Sequence, residues 1–436
     1  MTDDAKPAQD RRELSQLIGG SAFIFGCRVF GAGLTFLAQV LLARWMGASE
    51  LGVYALAFSW CILLATLSTG GFRLAAIRFV GEGLVRDGSG YIRGFMRRSR
   101  QLVLIVSVAV AVIGITSLTF LAPAGSIAER PAFIIALLAV PWFAILNLYA
   151  GFANALSSFA LSFLPTNIFR PLLFLTGIVI VWLAGQLLDA GIAIAAQWVA
   201  LAVVAGVTVA YSQMSFRKVI GDAAPMYETR LWIRTALPLL IAALYSGYFP
   251  ELMVIMVGFF VPSDELAVFH VCIRVAMLIS FGLYAVDSFT APQITMLLTT
   301  GDRAELQKIV NRTTRLKFWG AVAAILILAV AGRRILGIFG DEFIAGYPVL
   351  IVLATAQLAQ AAGGTVTRLI SMSGHQDKTL YIFGVATLVA FGLVAVLVPR
   401  YGVIGAAIAV LIDTVLWVAW MRSLVIRHLS IRPTIM

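Results

Sequence analysis

One long apolar run limits what this chain can fold into. Residues 18–43 are almost wholly apolar or small and carry a single charge, Arg28. At about 1.5 Å of rise per residue, a helix of this length crosses the roughly 30 Å hydrocarbon layer of a bilayer and places Arg28 near its midplane. Because an arginine at that depth is costly, we expect its side chain to face a polar cavity, a partner or a ligand.

Similar runs continue along the chain. Of its 436 residues, 61% are hydrophobic and 12% are charged, about half the charged fraction of a typical soluble domain. The first run is too long for the core of a signal peptide and no convincing cleavage site follows it, so we expect it to be retained. We predict an all-α membrane protein with twelve transmembrane helices. The predicted spans are residues 18–43, 52–72, 102–122, 132–156, 163–187, 190–211, 236–261, 266–289, 318–338, 347–371, 379–398 and 402–424.

The basic residues predict the orientation in the membrane. Loops and span ends on the side of the amino terminus hold 25 Lys and Arg, Arg170 among them, and the opposite side holds five. This bias places both termini in the cytoplasm. The net charge of +11 then lies against anionic headgroups, and no loop has room for a basic domain that binds nucleic acid. We interpret Arg73, Arg78 and Asp287 as side chains that reach the interface.

A sequence repeat predicts two lobes. Residues 48–54 (ASELGVY) recur as residues 263–269 (SDELAVF), 215 positions later, and a weaker echo pairs residues 190–196 with 401–407. Because an even number of spans separates the copies, the two six-helix lobes are related by a pseudo-two-fold axis along the membrane normal. The predicted units are a tail (1–17), the first lobe (18–211), a linker (212–235), the second lobe (236–424) and a tail (425–436), with both tails and the linker cytoplasmic.

Four charged residues fall inside predicted spans. Arg28 and Arg274 are the cations, Glu251 follows Pro250 in the seventh span, and Asp413 lies in the twelfth. In one interpretation the two arginines bind the phosphate oxygens of an anionic substrate. In the other, one of them pairs with Glu251 or Asp413 and locks the lobes together. A buried carboxylate also suits proton coupling, so Glu251 and Asp413 are candidate coupling residues.

Catalytic and cofactor motifs are missing from the sequence. It contains no Asp-x-Asp, no His-Glu-x-x-His and no Gly-x-x-x-x-Gly-Lys, which argues against glycosyl transfer from nucleotide sugars, zinc hydrolysis and ATP hydrolysis. Cys27, Cys61 and Cys272 lie in apolar runs, and the three histidines are scattered. We therefore expect no enzyme activity, no cofactor and no metal site.

A series of short motifs resembles a known family. These are residues 47–54 (GASELGVY), 292–295 (PQIT), 339–343 (FGDEF), Ser373-Gly374 and 401–407 (YGVIGAA). In this order they resemble the polysaccharide flippases of the multidrug/oligosaccharidyl-lipid/polysaccharide (MOP) exporter superfamily. The resemblance implies a MATE-like fold that moves undecaprenyl-diphosphate-linked oligosaccharides across the bacterial inner membrane by alternating access, beside a polysaccharide polymerase.

The resemblance also implies site residues. Related lipid II flippases carry cationic residues in the first and eighth spans, and Arg28 and Arg274 lie at matching places. Where those flippases have an Arg-Asp pair after Gly31, this chain has Leu34-Thr35, which favours an O-antigen or exopolysaccharide repeat unit over lipid II. The alternatives are a multidrug exporter of the same superfamily, a lipid II flippase and a structural membrane scaffold.

Overall fold

The computed structural model describes residues 5–85, 88–120, 129–221, 223–300, 302–372, 376–429, 431–432 and 434. These residues are almost entirely helical, and no strand occurs among them. The Ser373-Gly374 motif lies outside the described residues. The fold is thus all-α, as the sequence predicts.

Twelve crossings follow from the helix lengths. In the described part of the chain, nine helices are long and apolar enough to span a bilayer, and a bent pair, Thr229–Tyr245 with Gly247–Gly258, makes a tenth. Two of the nine, Phe23–Val85 and Lys378–Leu429, are far longer than one crossing needs. Each is divided by a glycine with positive φ, Gly47 at 76° and Gly402 at 58°, which brings the number of spans to twelve.

We number the spans in chain order. They are α1 (5–46), α2 (48–85), α3 (Ser89–Phe120), α4 (Arg130–Ala155), α5 (Phe159–Leu183), α6 (Ala190–Ile220), α7 (Thr229–Gly258), α8 (Ser263–Thr300), α9 (Arg303–Gly337), α10 (347–372), α11 (376–401) and α12 (403–429). A 3₁₀ turn, Asp341–Gly346, precedes α10. Several helices run past the predicted span ends, and the predicted unit boundaries stay predictions.

Three spans are interrupted near polar residues. In α2 the first segment ends at Thr69 and the second, Phe72–Val85, begins after Gly70-Gly71. In α5 a π turn, Pro165–Phe169, precedes Arg170. In α10, Tyr347–Gly363 is followed by Val366–Met372 after Gly364 (φ 71°). Such breaks leave backbone groups unpaired inside the membrane, which is tolerated where they face protein or a wet cavity.

The helices form two six-helix lobes, α1–α6 and α7–α12. In the first lobe, α4 packs against α3, α6 and the helices α1 and α2; in the second, α8, α9 and α10 pack in sequence. The lobes meet mainly where α1 and α2 contact α7 and α8. In α3, Val103, Ser107 and Ala111 are buried while Ile105 and Ile113 are more than 60% exposed. Small residues inside and large apolar ones outside are typical of helices that face lipid.

The repeated sequence occupies equivalent places in the two lobes. Glu50 of the first copy accepts a hydrogen bond from the backbone N–H of Ala190, at the start of α6, at 2.8 Å. Glu265, its counterpart 215 positions later, lies beside Gly402 at the start of α12, where an added Cβ would be 3.5 Å from its Oε2. The same side chain thus approaches the start of the last helix in each lobe.

The lobes are closed together at one end. We call this the Gly47 end, where α1 turns into α2; it is the predicted outer face. Arg44 Nε donates to the carbonyl of Ile338 at 2.6 Å, the rings of Phe36 and Phe339 lie 5.3 Å apart, and Gln39 and His270 share a hydrogen bond of 3.3 Å. These contacts join α1 to the second lobe.

At the opposite end, the described residues of the two lobes touch where α7 meets α2 and α3. Trp232 of α7 donates to the Tyr91 hydroxyl of α3 at 3.0 Å, and Gly71 of α2 lies against the Ala236 carbonyl. Between α1 and α8, by contrast, a pocket lined by residues such as Phe25 and Ser288 separates the lobes. The space between the lobes therefore extends away from the Gly47 end.

Candidate functional site

A cavity of about 400 Å³ lies between the lobes. Four arginines line it: Arg28 of α1, Arg73 of α2, Arg170 of α5 and Arg274 of α8. None of the described lining residues is an aspartate or a glutamate. The walls also carry neutral hydrogen-bonding groups, from Thr35, Gln39, Asn147, Thr166, Asn167 and Tyr248. This surface is suited to a polar anion.

Arg28 has the least restrained guanidinium of the four. Its guanidinium carbon, Cζ, lies 5.5 Å from the centre of the Phe163 ring, which is a cation–π contact. It makes no ion pair with any described carboxylate. Arg28 also lines the pocket between α1 and α8 and a second, larger cavity within the lobe α7–α12, so it stands where the internal spaces meet.

Arg274 is held by a carboxylate. Its Nη2 donates to Glu251 Oε1 at 3.0 Å, and the Glu251 side chain is only 8% exposed. The pair forms because α7 bends by 67° near Tyr248, a bend that Pro250 favours. For Arg274, then, the structure shows the pairing that one of the two interpretations required, and the guanidinium still lines the cavity.

Asp413 lies outside this cavity. Its side chain is fully buried, and Oδ2 accepts a hydrogen bond from the Tyr245 hydroxyl at 2.8 Å. Oδ1 has no hydrogen-bond partner among the described residues. Tyr245 in turn stacks on Phe383 with ring centres 4.2 Å apart. Asp413 therefore belongs to a packed cluster of α7, α11 and α12.

Two of the cavity arginines are not predicted by the sequence to line a cavity: Arg73 is assigned to the interface, and Arg170 is counted with the basic residues of the cytoplasmic side. Arg73 points inward, where Nη1 lies 3.4 Å from both Asn147 Oδ1 and the Tyr248 hydroxyl. Arg170, counted with the cytoplasmic charges, lies over the rings of Phe58 and Phe143 at 5.9 and 5.6 Å. The interface interpretation of Arg73 is wrong, and the side of the membrane on which Arg170 lies stays a prediction. The signal for Arg170 was its depth, seven residues into the predicted fifth span.

The interface assignment also fails for Asp287 and holds for Arg78. Both oxygens of Asp287 accept from Lys317 Nζ at 3.1 Å, and Lys317 also donates to the Gly364 carbonyl at 2.7 Å. Lys317 is 4% exposed and Asp287 is 14% exposed, so this is a buried pair. Arg78 lies on the surface, where it pairs with Glu82.

Cysteine and histidine chemistry has no place at this cavity. Cys27, Cys61 and Cys272 are buried free thiols. In the part of the chain that the structure describes, no three His, Cys, Asp or Glu side chains come close enough to hold a metal ion. The cavity therefore offers cations, amides and hydroxyls.

The fold and its cavity define a two-lobed, multi-pass membrane protein with a cationic cavity between the lobes. No family model matches the chain. It is 22% identical over 422 residues to the probable low-salt glycan biosynthesis flippase Agl15 of Haloferax volcanii, a match that covers 94% of this chain and 84% of the relative.

Solved structures share the fold. The inward closed conformation of the lipid II flippase MurJ superposes with a TM-score of 0.76 at 13% identity, covering 94% of this chain and 88% of MurJ. An inward-facing multidrug resistance MATE transporter of the MOP superfamily superposes with a TM-score of 0.74 at 16% identity. The match covers 90% of this chain and 94% of that transporter. These likenesses show the fold, a two-lobed bundle of twelve helices. With its apolar helices and this fold, the chain is a multi-pass membrane protein.

Proposed function

We propose that this protein moves an undecaprenyl-diphosphate-linked oligosaccharide repeat unit from the inner to the outer leaflet of a bacterial cytoplasmic membrane. The observation that carries the proposal is the cavity with four arginines and no described lining carboxylate. The relative that spans nearly the whole chain is described as a glycan biosynthesis flippase. A polysaccharide polymerase would consume the transported unit.

The cavity matches the headgroup of such a substrate. Sugar hydroxyls that enter hydrocarbon lose their hydrogen bonds to water, so a glycan needs a polar path while its polyprenyl tail stays in lipid. Asn147, Asn167 and Tyr248 line the cavity beside the arginines and offer both donors and acceptors. These groups can replace water around the sugar.

The arginines suit the diphosphate. A guanidinium donates two parallel hydrogen bonds to phosphate oxygens and keeps its charge in a buried site. Arg28 has no carboxylate partner among the described residues, so it can bind the anion without first breaking an ion pair. Arg274 shares its charge with Glu251 and adds a weaker attraction.

The difference between the closed Gly47 end and the open opposite end supports alternating access. The lobes touch at the Gly47 end through Arg44 and Phe36, and the space between them extends the other way. With both termini in the cytoplasm, this structure is open toward the cytoplasm. Outward movement of about two negative charges gains roughly 4 to 5 kcal/mol at an inside-negative potential of about 100 mV. Voltage is therefore a sufficient driving force.

Proton coupling through Asp413 or Glu251 is a further part of the proposal. Asp413 is fully buried, and its Oδ1 has no hydrogen-bond partner among the described residues, so this oxygen is free to carry a proton. Glu251 is held by Arg274 and is the less suitable carrier. We expect Asp413→Asn to abolish the response of transport to an imposed pH gradient at fixed voltage. An unchanged response in that variant would exclude Asp413 as the coupling residue.

The same cavity disfavours a multidrug exporter. Cationic amphiphiles would be repelled by four arginines with no carboxylate among the described lining residues. Lipid II also carries a diphosphate, so the arginines do not distinguish it from other glycan lipids. The choice between glycans therefore rests on the neutral groups that line the cavity. Where the lipid II flippases have the acidic residue of the pair, this chain has Thr35, whose hydroxyl donates to the Gly31 carbonyl at 2.9 Å.

Transport in vesicles tests the proposal. Purified protein is reconstituted with undecaprenyl-diphosphate-linked oligosaccharide, and protection of the glycan from a membrane-impermeant lectin reports flipping. We expect Arg28→Gln to slow flipping at least tenfold, because a charge-assisted bidentate contact is lost. Arg78→Gln, which removes a surface arginine, should flip at the normal rate. Equal rates for Arg28→Gln and the unsubstituted protein would overturn the proposal.

A further inference from the structure

A fifth arginine shares two spaces with Arg28. Arg368 of α10 is half-buried, and together with Arg28 it lines the pocket between α1 and α8 and the larger cavity of about 590 Å³ in the lobe α7–α12. The two side chains come from opposite lobes. They lie on the side of the molecule where α1 and α8 are separated, away from the Gly47 end.

The backbone around Arg368 is fixed by a buried cation. Gly364, with φ of 71°, interrupts α10 four residues before Arg368. Its carbonyl accepts from Lys317 Nζ at 2.7 Å, and Lys317 is anchored in turn by Asp287. The short segment Val366–Met372 therefore starts from a braced point, and Arg368 has a defined position.

No described carboxylate neutralises Arg28 or Arg368. Neither forms an ion pair among the described residues. Asp287 also lines the larger cavity, but both its oxygens are engaged by Lys317. Two like charges that face one space of low polarity repel each other, and an anion placed between them removes that repulsion.

We propose that Arg28 and Arg368 form a diphosphate site across the seam between the lobes, and that the anion, by bridging them, draws α1 and α8 together. The inference rests on the proposed function, because it assigns one end of that substrate to these two side chains. When the site is empty, the repulsion between the two arginines keeps α1 and α8 apart. When the anion is bound, α1 and α8 come together. Binding of substrate thus starts the movement that turns the cavity toward the other leaflet.

The shape of the two spaces agrees with this assignment. The pocket between α1 and α8 is lined mainly by apolar residues such as Ile24, Met277 and Ala291, which suits the first part of a polyprenyl tail. The larger cavity carries Gln357, Gln360 and several hydroxyls, which suit sugars. Arg28 and Arg368 line both spaces. A diphosphate bound between them would therefore lie between the tail and the glycan.

Distance measurements with a soluble probe test the site. Spin labels at Phe23→Cys on α1 and Met296→Cys on α8, both exposed positions, report the seam in lipid nanodiscs, with Cys27, Cys61 and Cys272 replaced by Ala. We expect methylene diphosphonate to shorten the distance between the labels. Arg368→Gln should abolish the shortening and weaken diphosphonate binding about tenfold or more. Arg368→Lys should keep part of the affinity, since it keeps the charge and loses the bidentate geometry.

Controls separate this site from the proposed function. Arg78→Gln should behave like the unsubstituted protein, and sulfate at matched ionic strength should not shorten the distance. Equal shortening by sulfate, or normal diphosphonate binding by Arg368→Gln with an unchanged melting temperature, overturns the site. If the protein closes with diphosphonate but does not flip the glycan lipid, the proposed function fails and the site stands. If it flips normally with Arg368→Gln, the function stands and the site fails.

Discussion

Charged side chains inside this bundle fall into two groups: held side chains, which form an ion pair, and free side chains, which form none among the described residues. Arg274 is held by Glu251 and Lys317 by Asp287. Arg28 has no ionic partner among the described residues. A buried ion pair adds little to stability compared with apolar packing, but removing one partner leaves a charge without compensation. The held residues therefore secure the framework, and the arginines without an ionic partner among the described residues, Arg28 among them, are available to a ligand.

Lys317 should be the most stability-sensitive of the held cations. Lys317→Met leaves Asp287 buried without its donor and frees the Gly364 carbonyl, which we expect to cost about 3 to 5 kcal/mol. Thermal unfolding in detergent measures the loss. Lys308→Met, which breaks an exposed pair with Glu305, should cost less than about 1 kcal/mol. Similar melting temperatures for the two variants would contradict this assignment.

The sequence identified the deep charges and misplaced those near span ends. Arg28 and Arg274 interrupt long apolar runs, so their depth is readable from helix rise alone. Arg73 and Arg368 lie near span ends, where hydropathy does not distinguish a cavity from the interface. Both follow a Gly-Gly break, Gly70-Gly71 and Gly363-Gly364, and such a break was the available sign that the backbone lines a cavity.

At the scale of helices, close packing at glycine determines how the lobes meet. Gly52 of α2 lies against the backbone of Ser263 at the start of α8, and an added Cβ would come within 1.8 Å of the Ser263 carbonyl oxygen. The two residues belong to the two copies of the repeat. The repeat was visible in the sequence, but the contact between its copies depends on how the lobes dock, which no local pattern encodes.

Enlarging Gly52 should open the Gly47 end. Gly52→Ala forces α2 away from Ser263, so we expect the closed arrangement at that end to lose population. A Thr35→Cys reporter in the cavity, labelled by a membrane-impermeant maleimide from the outer side, measures the change; we expect labelling several-fold faster. Gly81→Ala, in the same helix with no atom within 4 Å of the added carbon, is the matched control. Equal labelling in both variants would count against a closing contact at Gly52.

The bend of α7 shows why the arginine pairing was left open by the sequence. Pro250 predicted a break, but the partner of Glu251 depends on the direction of a 67° bend, and that direction depends on how α7 packs against helices of both lobes. Two arginines and two carboxylates allowed four pairings. Only Arg274 with Glu251 forms among the described residues, because Asp413 is taken by Tyr245 and Arg28 lies beside Phe163.

For the whole molecule, the proposed transport requires that the contacts at the Gly47 end be strong enough to hold that end closed and weak enough to let it open. Besides the close packing of α1 and α2 on α8, the specific contacts there include hydrogen bonds from Arg44 to the carbonyls of Ile338 and Gly337, one between Gln39 and His270, and ring packing of Phe36 on Phe339. Each is worth about 1 kcal/mol. Their sum is of the size that substrate binding or membrane voltage can offset.

Arg44 should therefore set the balance between the two conformations. Arg44→Gln removes two hydrogen bonds across the lobes, and a loss of about 2 kcal/mol raises the population open at the Gly47 end about thirtyfold. Pulsed electron resonance between labels at Ser49→Cys and Asp341→Cys, exposed positions on opposite lobes at that end, measures the populations as a longer-distance component. Arg400→Gln is the control, because Arg400 is exposed and its charge does not join the lobes. If the distance distribution of Arg44→Gln matches that of Arg400→Gln, Arg44 does not hold the lobes, and the closing force must come from the aromatic and glycine contacts instead.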